Sequence, residues 1–365
     1  VKIKDILEAL DNLAPSSYQE SYDNAGLITG DSSLDCTGII CTLDATEAVI
    51  LEAKQKGCNL VVAHHPIIFS GLKKITGKNY VERTVIAAIK NDIAIYAIHT
   101  NLDNLLTGVN GKIADKLQLS DRKVLLHKQN NLMKLIVFVP VEDAEKVREA
   151  IFIAGGGNIG KYSECSFNTK GKSTFTPGEG TNPHTGEVGK REETNEEKIE
   201  IIFPAYLQEK LITAMTEAHP YEEVAYDLIA LNNYFQEVGS GLIGELPEKM
   251  NVEAFLQLVK KQFGLHVIKY TPLIKKEVKK VALCGGSGSF LIRSALSAGA
   301  DIYITADVKY HEFFDAESRL IIADIGHWES EQFTVELLHD FLRIKFTTFA
   351  VLKSEIMTNP VSYFL

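Results

Sequence analysis

Apolar positions in this chain follow two rhythms. From Ile3 to Leu13 they recur at Ile3, Ile6, Leu7, Leu10 and Leu13, the spacing of an amphipathic helix. Residues 38–43, 60–63 and 93–98 are instead continuous apolar runs, which predict strands buried on both faces. Helical patterns over 46–57 and 81–90 separate these runs, and Gly108-Val-Asn-Gly111 opens another helix through 117. Asp44, just ahead of the helix at 46, reads as its N-cap. Alternation of this kind predicts a parallel sheet with helices on both faces.

From about 128 the rhythm changes. A strand over 132–140, a helix over 141–154 and a strand-like stretch over 162–168 precede a polar loop, 171–198. The loop holds His184 and a solvated, mobile charge run around Arg191. A strand over 199–203, a helix over 205–218 and a strand over 225–231 complete a β-α-β-β-α-β order, the ferredoxin-like pattern. We read 128–236 as an inserted domain that divides an α/β domain into halves 1–127 and 237–365. In the second half the first rhythm returns, with strands over 281–284, 299–305, 320–323 and 345–351. A tight loop, Gly285-Gly-Ser-Gly288, follows the first of them. Each half has a helix ending in glycine, Gly57 or Gly299, and the next strand ends at His64 or Asp307. One further helix and strand lead to His99 or His327. The fold class is therefore α/β, a duplicated α/β/α core with a ferredoxin-like insert.

In parallel sheets ligands gather beyond the carboxyl ends of the strands. His64 and His65 end one apolar run, and His99-Thr-Asn-Leu-Asp103 ends another. His327 and Glu331, four apart, share a face if the segment is helical. His64, His65, Asp103, His327 and Glu331 offer three imidazoles and two carboxylates. That set suits zinc, iron or manganese. It is too large for one tetrahedral site and about right for two metals ~3.5–4 Å apart. The expected chemistry is hydrolysis. His99 either orients a ligand or relays a proton, or simply bonds to backbone. Asp307 and His311 either line the same cleft or serve as a cap and a packing residue. Gly285 to Gly288 either receives a phosphate on its N–H groups or forms only a turn. Trp328 reads as helix packing or a stacking surface.

The net charge of -10, with no long basic run, argues against bulk binding of nucleic acid or an anionic membrane. No apolar run approaches the ~18 residues that span a bilayer, and the start reads as a helix, not a signal peptide. Five cysteines without a Cys-x-x-Cys spacing read as reduced thiols of a cytoplasmic protein.

Seven motifs together resemble one family. They are Asp23-Asn-x-Gly-Leu, His64-His-Pro-Ile, His99-Thr-Asn-Leu-Asp, Gly285-Gly-Ser-Gly, Tyr303-Ile-Thr-x-Asp307, Tyr310-His and Gly326-His-x-x-Ser-Glu331. Their order and combination, from residue 5 to the tail Thr358-Asn-Pro, resemble the Nif-three-like dinuclear metal-centre family, whose members are also called GTP cyclohydrolase I type 2 homologues. The resemblance implies two divalent ions per subunit on His64, His65, Asp103, His327 and Glu331. It also implies a PII/CutA-like insert and a homohexamer, a trimer of dimers with inward-facing metal sites. The small-molecule substrate it implies is a nucleotide, GTP, opened at the imidazole carbon, with His99 or His311 moving protons. A non-enzymatic metal-binding scaffold or regulatory partner-binding protein is the alternative. Tyr22, Ala306 and Trp328 depart from the family's usual residues without changing a ligand.

Overall fold

The computed structural model describes residues 1–364. Two compact units form: Val1–His127 together with the chain from Glu237 onward, and Lys128–Gln236.

The larger unit holds two sheets. In the first, Gly38–Asp44, Leu60–His65 and Ala94–Ala97 run parallel. Ala350–Lys353 extends the sheet in parallel on one side, and Gly26–Thr29 closes the other side antiparallel. Alternate residues explain why the runs are apolar throughout. Ile39, Cys41, Leu60, Val62 and Tyr96 enter one core layer, while Ile40, Val61, Ala63 and Ile95 enter another. In the second sheet Glu277–Ser287, Ile302–Ala306 and Ile321–Asp324 run parallel, with Lys269–Tyr270 antiparallel at the edge. Gly239–Asn251 and Ser120–His127 extend the opposite side antiparallel. Both sheets thus share one stretch of strand order, an antiparallel edge followed by three parallel strands, and differ beyond it. One face of each contributes to a common core layer, where Ile39, Leu60, Val281 and Ile302 meet Phe255 and Leu338 from helices.

Helix starts follow local capping. Thr46 accepts from Val49 N at 3.4 Å and caps Glu47–Gln55, while Asn79 accepts from Glu82 N at 2.9 Å and caps Tyr80–Lys90. Asp44, expected as a cap, is therefore not one, and its carboxylate is engaged elsewhere.

The smaller unit has a four-stranded antiparallel sheet with two helices, Ala144–Ile153 and Gln208–Ala218. Its sheet revises the reading of 171–198 as a polar loop. Phe167–Phe175 and Glu192–Pro204 form a long antiparallel ribbon whose polar outer half lacks the apolar alternation that would mark it. Nor is the acidic run simply solvated: Glu196 is buried and accepts from Tyr221 Oη, and Glu197 accepts from Arg148. Ring contact with Tyr221 at 6.0 Å is the placement of His184, which is exposed.

Leu60 is fully buried in the shared layer. Leu60→Ala is expected to destabilise by about 2–5 kcal/mol. Urea denaturation should show a lower midpoint at an unchanged slope.

Candidate metal centre

His64 and His65 lie on the last rungs of the strand Leu60–His65, and His65 stands in register with Asp44. His99 follows Ala94–Ala97, and a single helical turn, Thr100–Asp103, carries the chain to Asp103. From the other sheet, Gly326 opens the short helix His327–Glu331, which puts both end residues on one face. All five expected ligands and His99 reach one place. His64 Nε2 lies 3.5 Å from Asp103 Oδ1 and 3.9 Å from Glu331 Oε1. His65 Nε2 lies 2.9 Å and His327 Nε2 3.2 Å from Glu331 Oε2. Two donor sets result, His64–Asp103–Glu331 and His65–His327–Glu331, each with its atoms within 4.8 Å, and they share Glu331. A third set joins His64, His65 and His99.

Each imidazole is aimed by its other nitrogen. Nδ1 of His64 donates to Ile98 O at 2.8 Å, of His65 to Asp44 Oδ1 at 2.8 Å, of His99 to Asp23 Oδ1 at 2.7 Å, and of His327 to Asp307 Oδ2 at 2.6 Å. A carboxylate or carbonyl behind an imidazole sets its tautomer and turns Nε2 outward from that partner. Asp23 also accepts from Thr100 N at 3.0 Å and from the Thr100 hydroxyl. Its role lay hidden in a turn motif, and the Asp44 role lay behind a capping position. Asp307 adopts a left-handed backbone, φ 56°, at the end of its strand.

Burial decides the electrostatics. It pushes His64 down to about 3. Burial would also lower His65 and His327, yet hydrogen bonds with Asp44 and Glu331 bring His65 up to about 10. Those with Glu331 and Asp307 bring His327 up to about 9. Burial and the Glu331 charge hold Asp103 well above the carboxylate range. Glu331, which burial alone would raise, is held well below it by His327 and His65. His65 and His327 are thus the groups held toward their charged form beside the shared carboxylate. His64 Nε2 and Asp103 Oδ1 are buried without a hydrogen-bond partner among the described residues. Such atoms are costly unless something binds them. The donor types and the orphaned pair both fit a divalent cation.

Glycines make room for Glu331. Gly286 has φ 60°, and a Cβ there would lie 2.2 Å from Glu331 Oε1. Gly285 N donates to Asn110 Oδ1 and Gly286 N to Ser330 Oγ, both at 2.9 Å. These two N–H groups are therefore spent within the protein. Asn110 Nδ2 in turn donates to Asp103 O at 3.0 Å, which ties the two sheets together at the site.

These groups line a cavity of about 1080 Å³. Trp328 lines it and donates from Nε1 to Thr358 Oγ1 at 3.3 Å. Thr358 donates to Asp44 Oδ2 at 2.6 Å, so the tail residue braces the partner of His65. Cys284 is buried at the wall. His311 falls outside. It is exposed on the turn Tyr310–Ala316, with its ring against Tyr310 and Phe314, because the chain turns away from the cavity after Asp307.

Gly286→Ala should lower the thermal midpoint, at a cost of at least about 1 kcal/mol for the left-handed φ alone. Gly178→Ala, with open space at its Cβ, should leave the midpoint unchanged. Asp23 predicts a pH effect. Burial would raise it, but His99 and Thr100 hold it down at about 2. A depressed carboxylate contributes stability above its unfolded value of about 4, and the contribution fades as pH falls toward about 2. In urea titrations the stability gap between the wild type and Asp23→Asn should therefore shrink from about pH 6 to about pH 3. A constant gap would refute the ionic role.

The model of the Duf34/NIF3 (NGG1p interacting factor 3) family matches residues 1–360. A Halalkalibacterium halodurans protein named GTP cyclohydrolase 1 type 2 homolog is 40% identical over 363 residues, 98% of each chain. A Bacillus subtilis protein of the same name is 36% identical over 368 residues, covering 98% of this chain and 97% of that one. Among solved structures, a Bacillus cereus protein related to NIF3 superposes with a TM-score of 0.88 at 37% identity, covering 100% of this chain and 99% of the other. Described helices include none long and apolar enough to cross a membrane. By a family match over nearly its whole length and by relatives of this identity, the chain belongs to the Duf34/NIF3 family.

Proposed function

We propose that this protein is a dinuclear-metal-dependent hydrolase of a small heterocyclic or phosphorylated substrate. One observation carries the reading: two donor sets share a single buried carboxylate, Glu331. His64 and Asp103 would hold one divalent cation, His65 and His327 a second, and Glu331 would join both. Zinc, iron and manganese all suit such donors. When bound, a cation pair polarises a substrate oxygen and lowers the pKa of water to about 7.

The chain's own residues supply the rest. Asp44 and Asp307 keep Nε2 of His65 and His327 turned to the centre. His99, aimed by Asp23, belongs to neither Glu331 set. It is the imidazole in position to take a proton from the substrate and return it. Tyr22, Phe69 and Trp328 give the cavity aromatic surface beside the centre. Opening of a purine ring is the specific reaction that the name of the relatives suggests. We also read the two halves of the larger unit as a duplication, which their common strand order supports. The unit 128–236 we read as a ferredoxin-like insert, supported by its β-α-β-β-α-β order.

Protein purified with its native metal should carry about two equivalents per chain and turn over one member of a nucleotide and heterocycle panel that includes GTP. The double variant His64→Ala, Glu331→Ala should lose both metal and turnover. Asp44→Ala should weaken metal affinity about 10–100-fold. Metal retained without turnover on the panel would leave a metal-binding scaffold and defeat the hydrolase reading.

A further inference from the structure

We infer that the cavity selects a flat, uncharged or cationic ring and rejects a polyphosphate chain. The inference rests on reading this cavity as the hydrolase's active site, and it narrows the substrate class.

Charge is the first ground. Seven carboxylates line the cavity against a single lysine, Lys269, and no arginine. Lys269 is already committed, its Nζ 2.6 Å from Asp324 Oδ2. Two divalent cations and Lys269 together would offset five of the seven negative charges. A fully loaded cavity therefore keeps a net negative charge, and beyond the oxygens that the two cations would themselves engage it offers a triphosphate chain no arginine and no uncommitted lysine. The Gly285 and Gly286 amides donate to Asn110 and Ser330 and are not open to a phosphate.

Aromatic surface is the second ground, and it is independent of charge. Tyr22, Phe69, Tyr80 and Phe290 line the cavity and are all exposed, the Phe69 ring also meeting His99 edge-on at 5.7 Å. Trp328 and Tyr363 complete the lining on the side of the tail. Exposed aromatic faces around a negative cavity offer stacking to a planar ring, and more strongly to a cationic one. Asp307, whose Oδ2 accepts from His327, keeps Oδ1 as an acceptor for a ring N–H group.

Trp328 is the only tryptophan in the chain, so its fluorescence reports on this cavity. The full-length, metal-loaded protein is titrated with guanosine, GTP and inorganic triphosphate, and its metal content is measured again after each titration. Guanosine should shift the emission with an affinity at least tenfold above that of GTP, and triphosphate should not shift it. Raising the salt should tighten GTP binding, because screening weakens repulsion. GTP binding tighter than guanosine, saturation by triphosphate, GTP affinity that falls with salt, or no response to guanosine would each overturn the inference. Turnover assayed on the same samples separates the two readings. Ring binding without turnover defeats the hydrolase and leaves the ring preference intact, whereas GTP turnover with GTP bound more tightly than guanosine does the reverse.

Discussion

A carboxylate taken out of water must be paired, and Glu331 is the residue on which that requirement falls most heavily here. It is 3% exposed and faces three imidazoles. An ionised carboxylate in such a place is tolerable only with compensating charge. Asp44, Asp307 and Glu331 itself hold His65 and His327 toward their charged form, and divalent cations would compensate better, because they would also engage His64 Nε2 and Asp103 Oδ1. The arrangement of the cavity follows from keeping these groups close and correctly turned.

Two sheets meet that demand with different means. The first brings His64, His65 and His99 to the ends of parallel strands, where the ladder stops and side chains can converge. The second brings His327 and Glu331 on the short helix after one of its strands, and passes the Gly286 backbone against Glu331 where a Cβ would collide. Asn110 joins the two by bonding to Asp103 O and Gly285 N. Behind the imidazoles stand Asp23, Asp44 and Asp307, each from a different part of the chain. Anionic partners of this kind hold ring orientation without occupying the centre.

The chain beyond the last strand belongs to this scheme as well. Thr358 reaches Asp44 and Trp328, while Asn359 Nδ2 and Tyr363 Oη both donate to Glu329 at 3.1 Å. The tail is thus a wall of the cavity and a support for the residue behind His65. An acidic lining beside open aromatic rings results, which favours planar ligands of low negative charge.

The apolar rhythm by itself marked the buried parallel strands of both halves, since strands buried on two faces leave no polar positions. It also marked the strand-end histidines and the spacing of His327 and Glu331, because one helical turn places residues four apart on one face. It left the helices Val252–Gln262 and Thr334–Lys345 unread, and its strand over 345–351 is in fact the end of a helix and a short strand, Ala350–Lys353. The fold alone decided the rest. The polar ribbon of the smaller unit carries no apolar period, so its pairing shows only in the ladder. Asp44 is a bracket for His65 and not a cap, since Thr46 caps the helix. The glycines at 285 and 286 make room for a carboxylate, and His311 faces away from the cavity. Each of these depends on which distant residue lies opposite, and a linear pattern holds no record of that.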